Sequence, residues 1–216
     1  MNKLFKNLIS SLLLLILVLM PFKTYAMENT ICNCVASKNS TCDLKMLERK
    51  LWIEHVLWTR NFIISDLASL EDKDAVLQRL LKNQNDIGNS IKPYYGEEAG
   101  NKLSTLLKEH IKIAGQVVDA AKNNNKDDLD KYNKLWYENA DKIADFLSSA
   151  NSNYSNKTLK DMLHKHLKLI TDEVVARLNK DWKVNIEAFD KGEDHMIMFA
   201  DEISDGIIKQ FPKKFN

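Results

Sequence analysis

Three histidines recur in this sequence in similar surroundings. Leu51-Trp52-Ile53-Glu54-His55-Val56, Leu106-Leu107-Lys108-Glu109-His110-Ile111 and Met162-Leu163-His164-Lys165-His166-Leu167 follow one another at shifts of 55 and 56 residues. Each histidine falls on an apolar stripe of helical period. Around His110 the stripe is Leu103, Leu106, Leu107, Ala114 and Val117, and around His166 it is Leu159, Leu163, Ile170 and Val174. All three imidazoles are therefore expected to face inward, where both ring nitrogens need partners. If the three rings converge, they would make a Zn, Cu or Fe site of the kind helix bundles build from inward side chains. A polar pocket for a small organic ligand or haem is a further functional form. The competing reading is duplication of an ancestral hairpin whose one core histidine bonded a neighbouring helix.

Other polar residues could support such a site. Asn83 and Asn139 occupy corresponding places on the second helical runs and could orient the histidines by hydrogen bonds. Glu54 and Glu109 precede their histidines, but one residue of helix turns about 100°, so they point along the flank. Glu173 and Arg177 lie within roughly 20° of the His166 face and suggest an internal ion pair. Arg60 is turned about 140° from His55 and suits a side chain snorkelling from the stripe edge. His164 is expected on the outer face. His195 lies at the flank of its stripe and would join the site only if its helix turns it inward.

Recognised catalytic signatures are missing. The sequence has no His-Glu-x-x-His, no paired Glu-x-x-His, no EF-hand loop, no Gly-rich phosphate loop and no Gly-x-Ser-x-Gly. No reaction is expected from the motifs.

The elements that must position these residues are helices. Six glycines and three prolines in 216 residues are too few for the turns of a sandwich or barrel. Apolar spacing marks six helical runs, broken at Glu71-Asp72-Lys73, Pro93 to Gly96, Asn123-Asn124-Asn125, Asn151 to Asn156, and between Ala176 and Met196. In the first, Leu47, Leu51, His55, Trp58 and Phe62 form the stripe. The runs pair up. Leu80, Asn83, Ile87 and Ile91 match Trp136, Asn139, Ile143 and Leu147 at 56, while Ala140-Asp141-Lys142-Ile143 matches Ala200-Asp201-Glu202-Ile203 at 60. The expected fold is an all-α bundle of about six helices, arranged as three repeated hairpins at about 45–95, 98–150 and 156–210 within one domain, 45–212.

Residues 1–26 read as a secretory signal, with Lys3 and Lys6 before the apolar run Leu8 to Met20 and Thr24-Tyr25-Ala26 as a cleavage site. A secreted or extracytoplasmic location follows, with membrane attachment only if that segment stays uncleaved. Loss of Lys3, Lys6 and Lys23 turns the net charge from +1 to −2, which argues against a nucleic-acid partner. Residues 27–44 form an arm carrying Cys32, Cys34 and Cys42, placed for one local bridge to Cys42 in an oxidising compartment. Intermolecular pairing or a soft-metal clip are the other uses of this odd count.

The segments Glu54-His55-Val56-Leu57-Trp58-Thr59-Arg60, Pro93-Tyr94-Tyr95-Gly96, Glu109-His110-Ile111 and Gln210-Phe211-Pro212 resemble those of a group of small exported bacterial helical proteins of unassigned function. The resemblance spans most of the mature chain and implies an all-helical exported protein. It carries over no catalytic or binding residues.

Overall fold

The computed structural model describes residues 41–215. The expected signal segment, nearly all of the arm, and Cys32 and Cys34 lie outside the described residues, and the expected bridge to Cys42 with them. The described chain is all-α: α1 (Thr41–Leu67), α2 (Lys73–Lys122), α3 (Lys126–Ala150), α4 (Asn156–Leu178) and α5 (Trp182–Gln210), followed by a 3-10 turn (Pro212–Lys214). None of these helices is long and apolar enough to cross a membrane.

Five helices stand where six runs were expected, because the second and third runs form one bent element. Pro93 lacks the amide hydrogen that the ladder needs, and Gly96 takes φ 86° and ψ 171°, a conformation that side chains with a Cβ avoid. The two arms, 73–95 and 97–122, fold back on each other. In a straight helix Gly88 and Gly100 would be about 18 Å apart, yet a Cβ added to Gly88 would lie 2.4 Å from the Gly100 carbonyl oxygen. Only two glycines permit backbones to approach this closely.

Three tight turns share one geometry. After α1, the second arm of α2, and α4, a single residue adopts the left-handed conformation: Ser69, Asn124 and Lys180, with φ of 53°, 53° and 58°. The following amides of Leu70, Asn125 and Asp181 donate to Ser65 O, Ala120 O and Ala176 O at 2.8, 2.9 and 2.9 Å. This closing pattern satisfies carbonyls that a helix end leaves orphaned. The next helix then starts on a side-chain cap in two of the three cases, with Asn125 accepting from Asp128 N and Asp181 from Val184 N.

Each helix packs against its chain neighbour, and α1 also packs along α5, so the bundle closes. Leu51, Val56, Ile87, Leu107, Ile143, Leu167, Phe199 and Ile207 fill the centre. Each such buried side chain contributes roughly 1.5–3 kcal/mol. Tyr154 locks the α3–α4 loop onto α5 by donating to Ile203 O at 2.6 Å, its ring lying over Gly206, where a Cβ would sit 1.9 Å from it.

Candidate functional site

Three side chains, on the first arm of α2, on α3 and on α5, reach back to the preceding helix or helix arm and make the same kind of bond. Asn83 Nδ2 donates to Leu51 O at 3.0 Å, Asn139 Nδ2 to Leu106 O at 3.2 Å, and His195 Nε2 to Met162 O at 2.7 Å. Each carbonyl belongs to the residue four before His55, His110 or His166, one helical turn away on the same face. The bond sets the rotation and register of the two helices, and so aims the following histidine inward. His195 makes it 56 residues beyond Asn139, whereas the sequence match in the last helix is at 60. Asn139 Oδ1 also meets His110, as expected of an orienting amide. Asn83 makes no hydrogen bond to a histidine; its Oδ1 accepts from Gln84 Nε2 at 3.1 Å.

The histidines converge. Ring centroids of His55 and His166 are 5.5 Å apart, and those of His110 and His166 are 6.3 Å apart. All three are buried, and so is His195, which was expected at a flank. Burial pushes the imidazoles down, His55 to about 3, His110 to about 4 and His166 well below the usual 6.5. Mutual repulsion adds to this, since a proton on His166 would face His55, His110 and His195. The cluster is uncharged near neutral pH, and neutral imidazole is the form that binds metals.

Hydrogen bonds separate the four rings into two kinds. His110 Nε2 accepts from Trp136 Nε1 at 3.0 Å, which fixes its proton on Nδ1, 2.8 Å from Asn139 Oδ1. Both of its nitrogens are used. His55, His166 and His195 each have a buried Nδ1 without a hydrogen-bond partner. In His195 the proton sits on Nε2, facing Met162 O, so Nδ1 presents a free lone pair. A carbonyl holding the far nitrogen in this way is the usual support of a metal-ligating histidine.

No family model, curated protein or solved structure matches this chain. The site must therefore be read from its own geometry. Two imidazoles sharing an ion at about 2.0–2.1 Å per nitrogen have centroids roughly 5–6 Å apart, which the His55–His166 pair meets. Among the described residues, no group of three or more His, Cys, Asp or Glu side chains is arranged to hold an ion as it stands.

The other expected site residues lie apart from this cluster. Glu54 takes Arg79 at 3.0 Å and Lys50 at 3.8 Å, and Glu109 is exposed, both on the flank as expected. His164 lies on the outer side, 2.8 Å from Asp141. Glu173 is buried and ion-paired as expected, but its partner is Arg60, at 2.6 Å, rather than Arg177. Arg60 also donates to Asn185 Oδ1 at 3.1 Å and stacks over Phe189 at 4.5 Å, so it turns into the bundle instead of snorkelling out. Arg177 lies over Trp182. Burial still raises Glu173 to about 6 against the pull of Arg60.

Glu48 is the buried charge that the stripe did not predict. Leu47 is exposed, and Glu48 turns fully inward, seven residues before His55. Leu103 and Leu159 lie seven residues before His110 and His166 and are buried too, so the spacing carried the signal. Ser90 Oγ donates to Glu48 Oε1 at 2.7 Å while Oε2 has no partner, and burial raises the carboxyl to about 7.

Proposed function

We propose that this chain is an extracytoplasmic bundle of three duplicated hairpins that holds one transition-metal ion in its core, liganded by Nδ1 of His55, His166 and His195. The observation that carries the reading is the set of three buried Nδ1 atoms without partners, two of them on rings 5.5 Å apart. An unpartnered buried polar atom costs about 1–3 kcal/mol, and an ion would satisfy three at once. The duplication is supported by the shared left-handed turns and the shared amide-to-carbonyl bonds, both recurring at 55 or 56 residues. His110 leaves the ligand set because Trp136 and Asn139 occupy it, and it serves as a spacer that holds His166 in place.

A second reading, a non-catalytic interaction module whose histidines are core polar groups, is favoured at His110 by those same two bonds. Metal analysis separates the two. Purified protein given Zn(II) or Cu(II) is expected to retain one ion per chain. At free metal 100-fold above Kd, its stability should rise by about 2.7 kcal/mol, read as a higher Tm. The double variant His55→Gln, His166→Gln should lose both effects. A wild type that retains no ion and melts unchanged, or a double variant that binds like wild type, would refute the metal reading.

A further inference from the structure

We propose that the core site keeps one position open for a small exogenous ligand, a water or a small anion, in the space beside Gly192; the inference rests on the metal reading above. Gly192 is buried in the middle of α5. Crowding explains the other buried glycines, since a Cβ on Gly88, Gly100 or Gly206 would stand 1.9, 2.3 or 1.9 Å from its nearest neighbour. A Cβ on Gly192 would meet no atom within 4 Å. Glycine inside a helix weakens it relative to alanine, and here no close approach compensates. What this glycine provides is room.

Bonds between the helices set where that room lies. Asn185 Nδ2 donates to Glu173 O at 2.8 Å, and α5 runs antiparallel to α4, since His195 further on reaches back to Met162 O. Seven residues on from Asn185 is Gly192, and seven back from Glu173 is His166. Two helical turns return each to within about 20° of its starting face, so Gly192 and His166 stand level, roughly 10 Å along the bundle from the bonded pair. His195 follows Gly192 by one turn on that face, and the His55 ring lies 5.5 Å from that of His166. The three unpartnered Nδ1 atoms and the room at Gly192 therefore share one level of the core. Three protein nitrogens with a fourth position left to water or substrate is the composition of an open metal site, not of a closed structural one. The ion brings positive charge, so small anions are the class that displaces the water.

The space itself can be filled by mutation. Wild type, Gly192→Ala and Gly192→Val are each loaded with Cu(II) and titrated with inorganic azide, read as a charge-transfer band. Wild type is expected to hold one Cu(II) per chain and to bind azide on it. Gly192→Ala should melt higher than wild type, because its Cβ enters open space and alanine favours the helix, and should bind azide more weakly. Gly192→Val should bind azide about tenfold or more weakly, the scale of overpacking a filled site. A wild type that holds copper without an azide band, equal azide affinity in wild type and variants, or a Gly192→Ala chain that melts below wild type overturns the open position and leaves the metal reading standing. A wild type that retains no copper overturns both.

Discussion

Replacing Arg60 with methionine is expected to destabilise the protein by about 3–5 kcal/mol, enough to unfold many single domains. The loss comes from what remains behind. Glu173 is 1% exposed, its only strong cation is Arg60 at 2.6 Å, and Asn185 would lose its bond to the guanidinium as well. The double variant Arg60→Met, Glu173→Leu should recover most of the loss, since replacing both members of a buried pair by apolar groups is often neutral. Urea denaturation of the two variants checks this. A single variant as stable as wild type would show that Arg177 can take over the carboxylate.

Acid is expected to weaken the fold on a curve whose slope increases. The buried imidazoles stay neutral in the folded chain, while in the unfolded chain each takes a proton below about 6.5. His55, His110 and His166 therefore lose stability as pH falls from 6.5, and His195, lowered in the same sense, adds to the loss. Glu48 and Glu173 act oppositely. Raised to about 7 and about 6, they hold protons that the unfolded carboxyls release above 4.5, so they gain stability as pH falls to 4.5. Between about 6 and 4.5 the losses at His55, His110 and His166 meet the two carboxyl gains and leave about 1.4 kcal/mol per pH unit, to which His195 adds. Below 4.5 the carboxyl gains end and the loss steepens. Melting curves at pH 7.5, 5.5 and 4 test the shape. Glu48→Gln should steepen the upper part by removing one of the gains. A Tm constant across this range would contradict the neutral cluster.

These effects trace to residues that the sequence exposes unevenly. Helical runs and recurring histidines are visible because both depend on local spacing, and burial of His55, His110 and His166 follows from their stripes. Pro93 and Gly96 mark a break, but whether the chain turns or parts there depends on Gly88 meeting Gly100 across the bend. Glu173 pairs with Arg60 because α1 and α5 close the ring, a long-range fact with no trace in local period. Glu48 and Leu47 both fit a helical stripe, and the polar one takes the inward place, where Ser90 donates to it. In the last helix the letters match at 60, while the bond to a carbonyl of the preceding helix recurs at 56. His195 replaces an asparagine in that register, and the two residues share only the ability to donate to a carbonyl.

The closure of α1 against α5 also has a consequence in time. Synthesis delivers the chain from its N-terminal side onward, so His55 emerges long before its neighbours. His166 waits for the fourth helix and His195 for the fifth, the one that seals the ring. Until that last helix arrives, the imidazoles lack the packed surroundings that bury them. A dry, uncharged cluster belongs to the finished chain alone, and truncation before α5 removes it together with the wall that encloses it.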